Sequence, residues 1–227
     1  MGPGRLVGFC TAVETRGAPA SVVGYPPDRP LDYDWLEAIV RGRLPKTPFV
    51  LLGESFSGPL AIRIAADPPP GLAGLVLSTT FARSPIGQVS AIAPLLRLAP
   101  APPPMALLSW CLLGPWATPW LRAQLREALS RVDPAVLRTR AAETWGVDAS
   151  GKLGAIAVSV LQLVAVNDRL LASAAYSQLS AGLWHCQTVK LPGPHLLLQT
   201  ATGPAAQAVA MFASGLVPEH GEASGTQ

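Results

Sequence analysis

The feature that most constrains this chain is an apolar run that ends in a serine set between small residues: Phe49-Val50-Leu51-Leu52-Gly53-Glu54-Ser55-Phe56-Ser57-Gly58. Phe49 to Leu52 is continuously apolar, which predicts a strand buried on both faces of a parallel sheet. Gly53 is expected to break it. Ser57, Gly58 and Pro59 read as a helix start, because proline is tolerated in the first turn, and Leu60 to Ala66 supply the helix body. So sharp a turn strains its central residue, and the residues two before and two after it must be small to avoid collision. Gly53 and Ser57 meet that condition. The pattern raises the Ser55 hydroxyl above the C-terminal edge of a sheet and aims the Phe56 backbone N–H at the place where an oxyanion would form. The last position of G-x-S-x-G carries serine here, which is still small.

Two later stretches bear on what Ser55 can do. Ala155 to Val166 reads as a buried strand ending in Asn167-Asp168-Arg169-Leu170, with a helix expected from about Ala172 to Leu183. Taken alone, Asp168 suits a helix cap or a turn as well as a catalytic role. A further strand, His185 to Leu191, leads into Pro192-Gly193-Pro194-His195, where proline and glycine fix a loop with a histidine at its tip. The chain has three histidines. His185 falls in or at the start of a strand and His220 in a polar, Gly-rich tail, so His195 is the candidate general base; the other reading for it is a loop histidine hydrogen-bonded to backbone.

Through Gly53-Glu54-Ser55-Phe56-Ser57-Gly58 and Gly193-Pro194-His195-Leu196-Leu197-Leu198-Gln199, the chain resembles the α/β-hydrolase family. The resemblance runs from about Ala20 to about Phe212 and is weakest between Arg83 and Ser150, where members of that family insert variable lids. It implies an α/β fold, a mostly parallel sheet with helices on both faces, and a helical lid over about 83–150. That family places its histidine-orienting carboxylate after a buried strand, which is the position of Asp168. Its nucleophile, acid and base occur in the order Ser, Asp or Glu, His, and Ser55, Asp168 and His195 follow that order. The implied activity is that of a serine esterase or related acyl hydrolase. His195 would take the Ser55 proton, Asp168 would hold the imidazole tautomer, and no metal or organic cofactor is required. Transfer of the acyl group to an acceptor other than water fits the same residues.

One departure from the family concerns the start. In the family, three strands precede the one expected at Ala20 to Tyr25, and the third ends in the loop that supplies a second oxyanion N–H. Gly2-Pro3-Gly4 resembles the tail of that loop, and the strand before it is missing from the sequence. Three outcomes are open: the sequence belongs to a longer enzyme, the next strand takes the vacant place, or the protein is a degenerate member that binds ligands with little or no catalysis.

Composition narrows the remaining classes. A length of 227 residues suits one domain, expected over 1–217 with a flexible tail at 218–227. The formal charge is only +3 and the basic residues are dispersed, so no nucleic-acid or membrane-surface patch is expected. Cys10, Cys111 and Cys186 are odd in number, far apart in sequence and without metal-ligand spacing, as expected of reduced thiols in a cytoplasmic protein. No basic segment followed by an apolar core opens the chain, so no secretory signal is read. The long apolar region Ala91 to Leu121 is interrupted by Arg97 and by prolines including Pro100, Pro115 and Pro119, which disfavours a spanning helix and suits a hydrophobic lid. Its Trp110, Trp116 and Trp120 imply an apolar acyl pocket, or packing between lid and core. The expected partner is a small hydrophobic acyl substrate.

The remaining pattern gives a short helix over Arg5 to Glu14, a buried strand over Ala20 to Tyr25, a helix over Leu31 to Leu44 started by Asp32 or Asp34, and a strand over Leu72 to Thr79. Thr118-Pro119 and Asp133-Pro134 read as starts of two further helices, with Arg122, Arg126 and Arg131 on a solvated face.

Overall fold

A computed structural model describes residues 6–84 and 103–216. Four strands, β1 (Phe49–Glu54), β2 (Leu72–Ser78), β3 (Ser159–Ala165) and β4 (Cys186–Leu191), form one parallel sheet in the order β1-β2-β3-β4. Nine α-helices are present among the described residues: α1 (Val7–Glu14), α2 (Tyr33–Arg41), α3 (Ser57–Ala66), α4 (Met105–Leu112), α5 (Pro119–Ser130), α6 (Pro134–Gly146), α7 (Ser173–Ala181), α8 (Leu197–Thr200) and α9 (Thr202–Ser214).

The side-chain alternation of the strands sorts these helices onto two faces. Leu75 and Leu77 of β2 and Val160 of β3 pack with Ala61, Ile62 and Ala65 of α3 and Leu179 of α7. The opposite-facing Val76, Leu161, Leu163 and Ala165 pack with Phe9 and Val13 of α1 and Ala205, Ala206 and Val209 of α9. The sheet therefore lies between two helical layers and is apolar on both faces, as a parallel sheet requires. Leu36 and Val40 of α2 extend the first layer by packing on Leu60 and Ile64 of α3. Arg63 ties the two helices further, with Nη2 2.5 Å from Asp34 Oδ1 and Nε 2.7 Å from Glu37 Oε2.

Local signals start the helices largely where the sequence indicates. Asp32, not Asp34, caps α2 by accepting the Trp35 N–H at 3.0 Å. Thr118 accepts from Leu121 N–H and Asp133 from Ala135 N–H at the heads of α5 and α6. Arg122, Arg126 and Arg131 are exposed on that surface.

Two local expectations are corrected. Gly53 does not end β1, which continues through Glu54. The cause lies behind Gly53, where a Cβ would come within 2.8 Å of Ala61 Cβ and Ser57 O, so glycine lets the strand run close beneath α3. The strand expected over Ala20 to Tyr25 does not form. These residues are irregular and, Ser21 apart, part-buried; Val23 and Tyr25 pack against the α2–α3 cluster, and the segment and the residues after it are tied further by Arg43 donating to Gly24 O, Arg140 to Pro26 O, and the Asp133 N–H to Pro27 O. β-Branched composition favours a strand only where a neighbour completes the ladder. Among the described strands β1 pairs with β2 alone, so the vacant place is not filled by this segment. Gly2-Pro3-Gly4, the start of the first expected helix and the 218–227 tail lie outside the described residues.

Between β2 and β3 the chain leaves the sheet and builds α4, a 3₁₀ turn at Gly114–Trp116, α5 and α6. Leu113 and Leu125 of this insertion bury against Leu196, beside His195, and the Leu196 N–H donates to Leu112 O at 3.1 Å. Trp110 and Trp120 are exposed, and the Arg169 guanidinium lies 4.8 Å from the centre of the Trp110 ring. Residues 91–102 of the long apolar region lie outside the described residues. Among the described residues no helix is long and apolar enough to cross a membrane.

Candidate active site

Because all four strands are parallel, the loops that leave their C-terminal ends share one edge of the sheet. Ser55 directly follows β1, and its N–H continues the ladder by donating to Ser78 O at 3.0 Å. Its φ is +51°, a left-handed conformation that non-glycine residues seldom adopt. The chain then turns straight into α3, whose first turn brings the Gly58 N–H to Ser55 O at 3.0 Å. The sharp strand-to-helix turn expected of this segment is thus present.

Asp168 and His195 are brought together by extending the β3–β4 ladder beyond the strands. The Val166 N–H donates to Leu191 O and the Asn167 N–H to Gly193 O, both at 3.0 Å, so the loops bearing Asp168 and His195 leave the sheet side by side. His195 Nδ1 lies 2.9 Å from Asp168 Oδ2, and His195 Nε2 lies 2.7 Å from Ser55 Oγ. Neighbouring strands are about 4.8 Å apart, so the histidine loop must fold back over the ends of β3 and β2 to reach Ser55. It does so under cover: the side chains of His195 and Asp168 are 0% and 2% exposed.

The direction of the hydrogen bonds follows from the charge on Asp168. Burial disfavours its carboxylate, but the His195 hydrogen bond and electrostatic attraction, the Tyr176 hydroxyl and the Leu171 N–H outweigh burial and hold the carboxyl below its ordinary value. An ionised Asp168 can only accept, so His195 Nδ1 carries a proton toward it, and in that tautomer Nε2 is placed to accept from the Ser55 hydroxyl. Asp168 also performs the turn role that the sequence left open for it. Its Oδ1 accepts the N–H groups of Leu170 and Leu171 at 2.7 and 2.9 Å, leaving Oδ2 for His195 and Tyr176.

Four supporting side chains were not legible as site residues. The Tyr176 hydroxyl donates to Asp168 Oδ2 at 2.5 Å. Tyr33 donates to Phe56 O at 2.9 Å and stacks on the Phe56 ring at 4.9 Å. Tyr25 donates to Ser57 Oγ at 2.9 Å, so the serine in place of the usual glycine anchors an aromatic neighbour of the elbow. Thr80 donates to Ser55 O at 2.6 Å. The only sequence signal for it is the hydroxyl run Ser78-Thr79-Thr80 after an apolar strand. Phe56 begins the turn into α3, and the aligned peptide dipoles of a helix N-terminus favour negative charge nearby. Among the described residues no group of three or more His, Cys, Asp or Glu could hold a metal ion.

No family model and no curated protein matches the sequence. Solved structures match it well in shape. An enol-lactonase from Burkholderia xenovorans LB400 superposes with a TM-score of 0.72 at 18% identity, covering 92% of this chain and 86% of its own. A lipase-esterase related protein from Clostridium acetobutylicum ATCC 824 gives 0.68 at 16% identity over 90% of this chain and 88% of its own. An alpha/beta hydrolase enzyme from a Medee basin deep-sea metagenome library gives 0.60 at 14% identity over 79% and 70%. The chain has the α/β-hydrolase fold.

Proposed function

We propose that this protein is a serine hydrolase of carboxylic esters or related acyl compounds, with Ser55, His195 and Asp168 as its catalytic triad. The observation that carries this reading is the buried hydrogen-bonded line from Ser55 Oγ through His195 to Asp168 Oδ2, ending on a hydroxyl at a strained strand-to-helix turn. Resemblance in shape to an enol-lactonase and a lipase-esterase related protein supports acyl chemistry.

In the first half-reaction Ser55 Oγ bonds to the substrate carbonyl carbon while its proton passes to His195 Nε2. The carbonyl oxygen becomes an oxyanion beside the Phe56 N–H, and Asp168 stabilises the imidazolium. When the tetrahedral species collapses, the bond to the alkoxy group breaks and His195 returns the proton to the departing alcohol. Water then gives a proton to His195 and its hydroxyl to the acyl carbon, and as the Ser55–acyl bond breaks His195 returns that proton to Ser55 Oγ, releasing the acid and restoring the starting state. The sum is ester plus water to acid plus alcohol. An acceptor alcohol or amine in place of water would make the same chain an acyltransferase.

The segment between β2 and β3 acts as a lid in this reading, and its Leu-rich sequence favours small hydrophobic acyl substrates, although Trp110 and Trp120 face outward and do not line such a pocket. The protein works in the cytoplasm without a cofactor. The second reading is a hydrolase-fold binding protein with weak or no catalysis, favoured by Phe56 being the one oxyanion donor assigned within the described residues.

Hydrolysis of p-nitrophenyl esters of increasing acyl length separates the two. The hydrolase reading expects turnover that prefers medium chains over acetate and falls at least about 10⁴-fold in Ser55→Ala. Turnover unchanged by that substitution would falsify it, and ester binding that survives in Ser55→Ala without turnover in either protein would favour the binding reading.

A further inference from the structure

We propose that Thr80 is a positioning residue for oxyanion stabilisation, its hydroxyl orienting and polarising the one peptide whose N–H is Phe56's. This deepens the serine-hydrolase reading and rests on it. Ser55 O and Phe56 N–H belong to the same peptide unit, and there are no cis bonds among the described residues, so the two groups point in opposite directions from one plane. Whatever holds the oxygen aims the hydrogen. Ser55 O accepts two hydrogen bonds, from the Gly58 N–H at 3.0 Å and from Thr80 Oγ1 at 2.6 Å. The first belongs to the turn itself. The second comes from another strand end and ties the elbow to β2.

Donation to an amide oxygen draws electron density toward it and raises the double-bond character of the C–N bond, which makes the N–H on the far side a stronger donor. Thr80 is 1% exposed, so no solvent competes for its proton or screens the effect. Its placement is built into the backbone. Thr79 has φ +42°, a strained conformation for a β-branched residue, while its N–H still donates to Leu163 O at 3.0 Å. That turn at the end of β2 delivers Thr80 against α3. The fit is close enough that a Cβ on Gly58 would lie 1.8 Å from Thr80 Oγ1 and 2.5 Å from Thr80 Cβ and Cγ2.

A merely structural role, satisfying a buried carbonyl, would cost stability and leave the chemistry alone. Three variants distinguish the two: Thr80→Val keeps the shape and loses the donor, Thr80→Ala loses the donor without added apolar bulk, and Thr80→Ser keeps the hydroxyl. Each is compared with the wild-type protein by ester kinetics, by affinity for a trifluoromethyl ketone, which forms a tetrahedral oxyanion on the serine, and by the ¹⁵N shift of the Phe56 amide. For Thr80→Val we expect kcat to fall about 10- to 100-fold with KM little changed, less than the roughly 10²- to 10³-fold loss when an oxyanion donor is removed outright. Ketone affinity should fall in parallel and the Phe56 nitrogen should move upfield. Thr80→Ser should keep all three near wild type, and Thr80→Ala should show the same three losses as Thr80→Val, standing in for it if Thr80→Val folds poorly. Wild-type kcat in Thr80→Val or Thr80→Ala, a loss confined to KM, or a Phe56 nitrogen that does not respond overturns the proposal. Absence of Ser55-dependent turnover in the wild-type protein instead sinks the hydrolase reading, and the Phe56 nitrogen then decides the orienting role of Thr80 by itself.

Discussion

Ser55 sits at φ +51°, a conformation that costs a non-glycine residue about 1–3 kcal/mol and persists only where its surroundings over-determine it. The constraints are identifiable. Its N–H is held by Ser78 O, its carbonyl by Gly58 and Thr80, and the next carbonyl by the Tyr33 hydroxyl. Asp168 carries a comparable load, because its two oxygens fasten the loop, Tyr176 and His195 together. Its carboxyl is depressed in the folded state, so ionisation stabilises the fold above the ordinary carboxylate value of about 3.9 and that stabilisation is lost as pH falls through the folded value. Urea titrations at several pH values should therefore find the stability advantage of the wild-type protein over Asp168→Asn shrinking as pH drops below about 4. A pH-independent difference would contradict this account of Asp168. At this scale Ser55, Asp168 and His195 were legible as candidates because each follows a strand signal at a break marked by glycine, proline or a polar run. Thr80, Tyr176 and Tyr33 were not: they are ordinary residue types whose partners lie 25, 8 and 23 positions away in sequence, and no local pattern encodes those contacts.

Between elements, the elbow depends on how closely α3 approaches the ends of β1 and β2. Gly53 and Gly58 permit that approach, and at Gly58 the obstruction would be the rigid, buried Thr80. Gly58→Ala should lower stability by more than about 2 kcal/mol through overpacking. Gly203, in the first turn of α9, has nothing within 4 Å of an added Cβ, and Gly203→Ala should raise stability by about 0.4–1 kcal/mol. Chemical denaturation midpoints of the two variants test the contrast, and similar effects at both sites would contradict it. The expected strand at Ala20–Tyr25 failed at the same scale. Its side chains suit a sheet, but strand formation depends on a neighbour that local sequence cannot report, and here the segment is held by arginines and loop contacts instead. Of the helices between β2 and β3, α5 and α6 were legible at their starts because Thr118 and Asp133 cap them locally, whereas α4 has no side-chain cap and its docking on the histidine loop, through Leu196 N–H and Leu112 O, is a long-range contact.

For the molecule as a whole, a sheet ordered β1-β2-β3-β4 places Ser55 after one edge strand, His195 after the other and Asp168 after the strand between β2 and β4. The three groups meet only because the β4 loop folds back across the strand ends and buries His195 completely. In the proposed hydrolase, activation of Ser55 would thus be a property of the assembled fold and not of the serine turn alone. The direct test is labelling of the purified protein with a fluorophosphonate probe, with the adduct located by peptide mass spectrometry in the wild-type, His195→Ala and Asp168→Ala proteins. One adduct is expected, on Ser55, formed orders of magnitude more slowly once His195 is removed and slowed to a lesser degree without Asp168. Labelling spread over other serines, or a Ser55 adduct whose rate ignores His195, would contradict it.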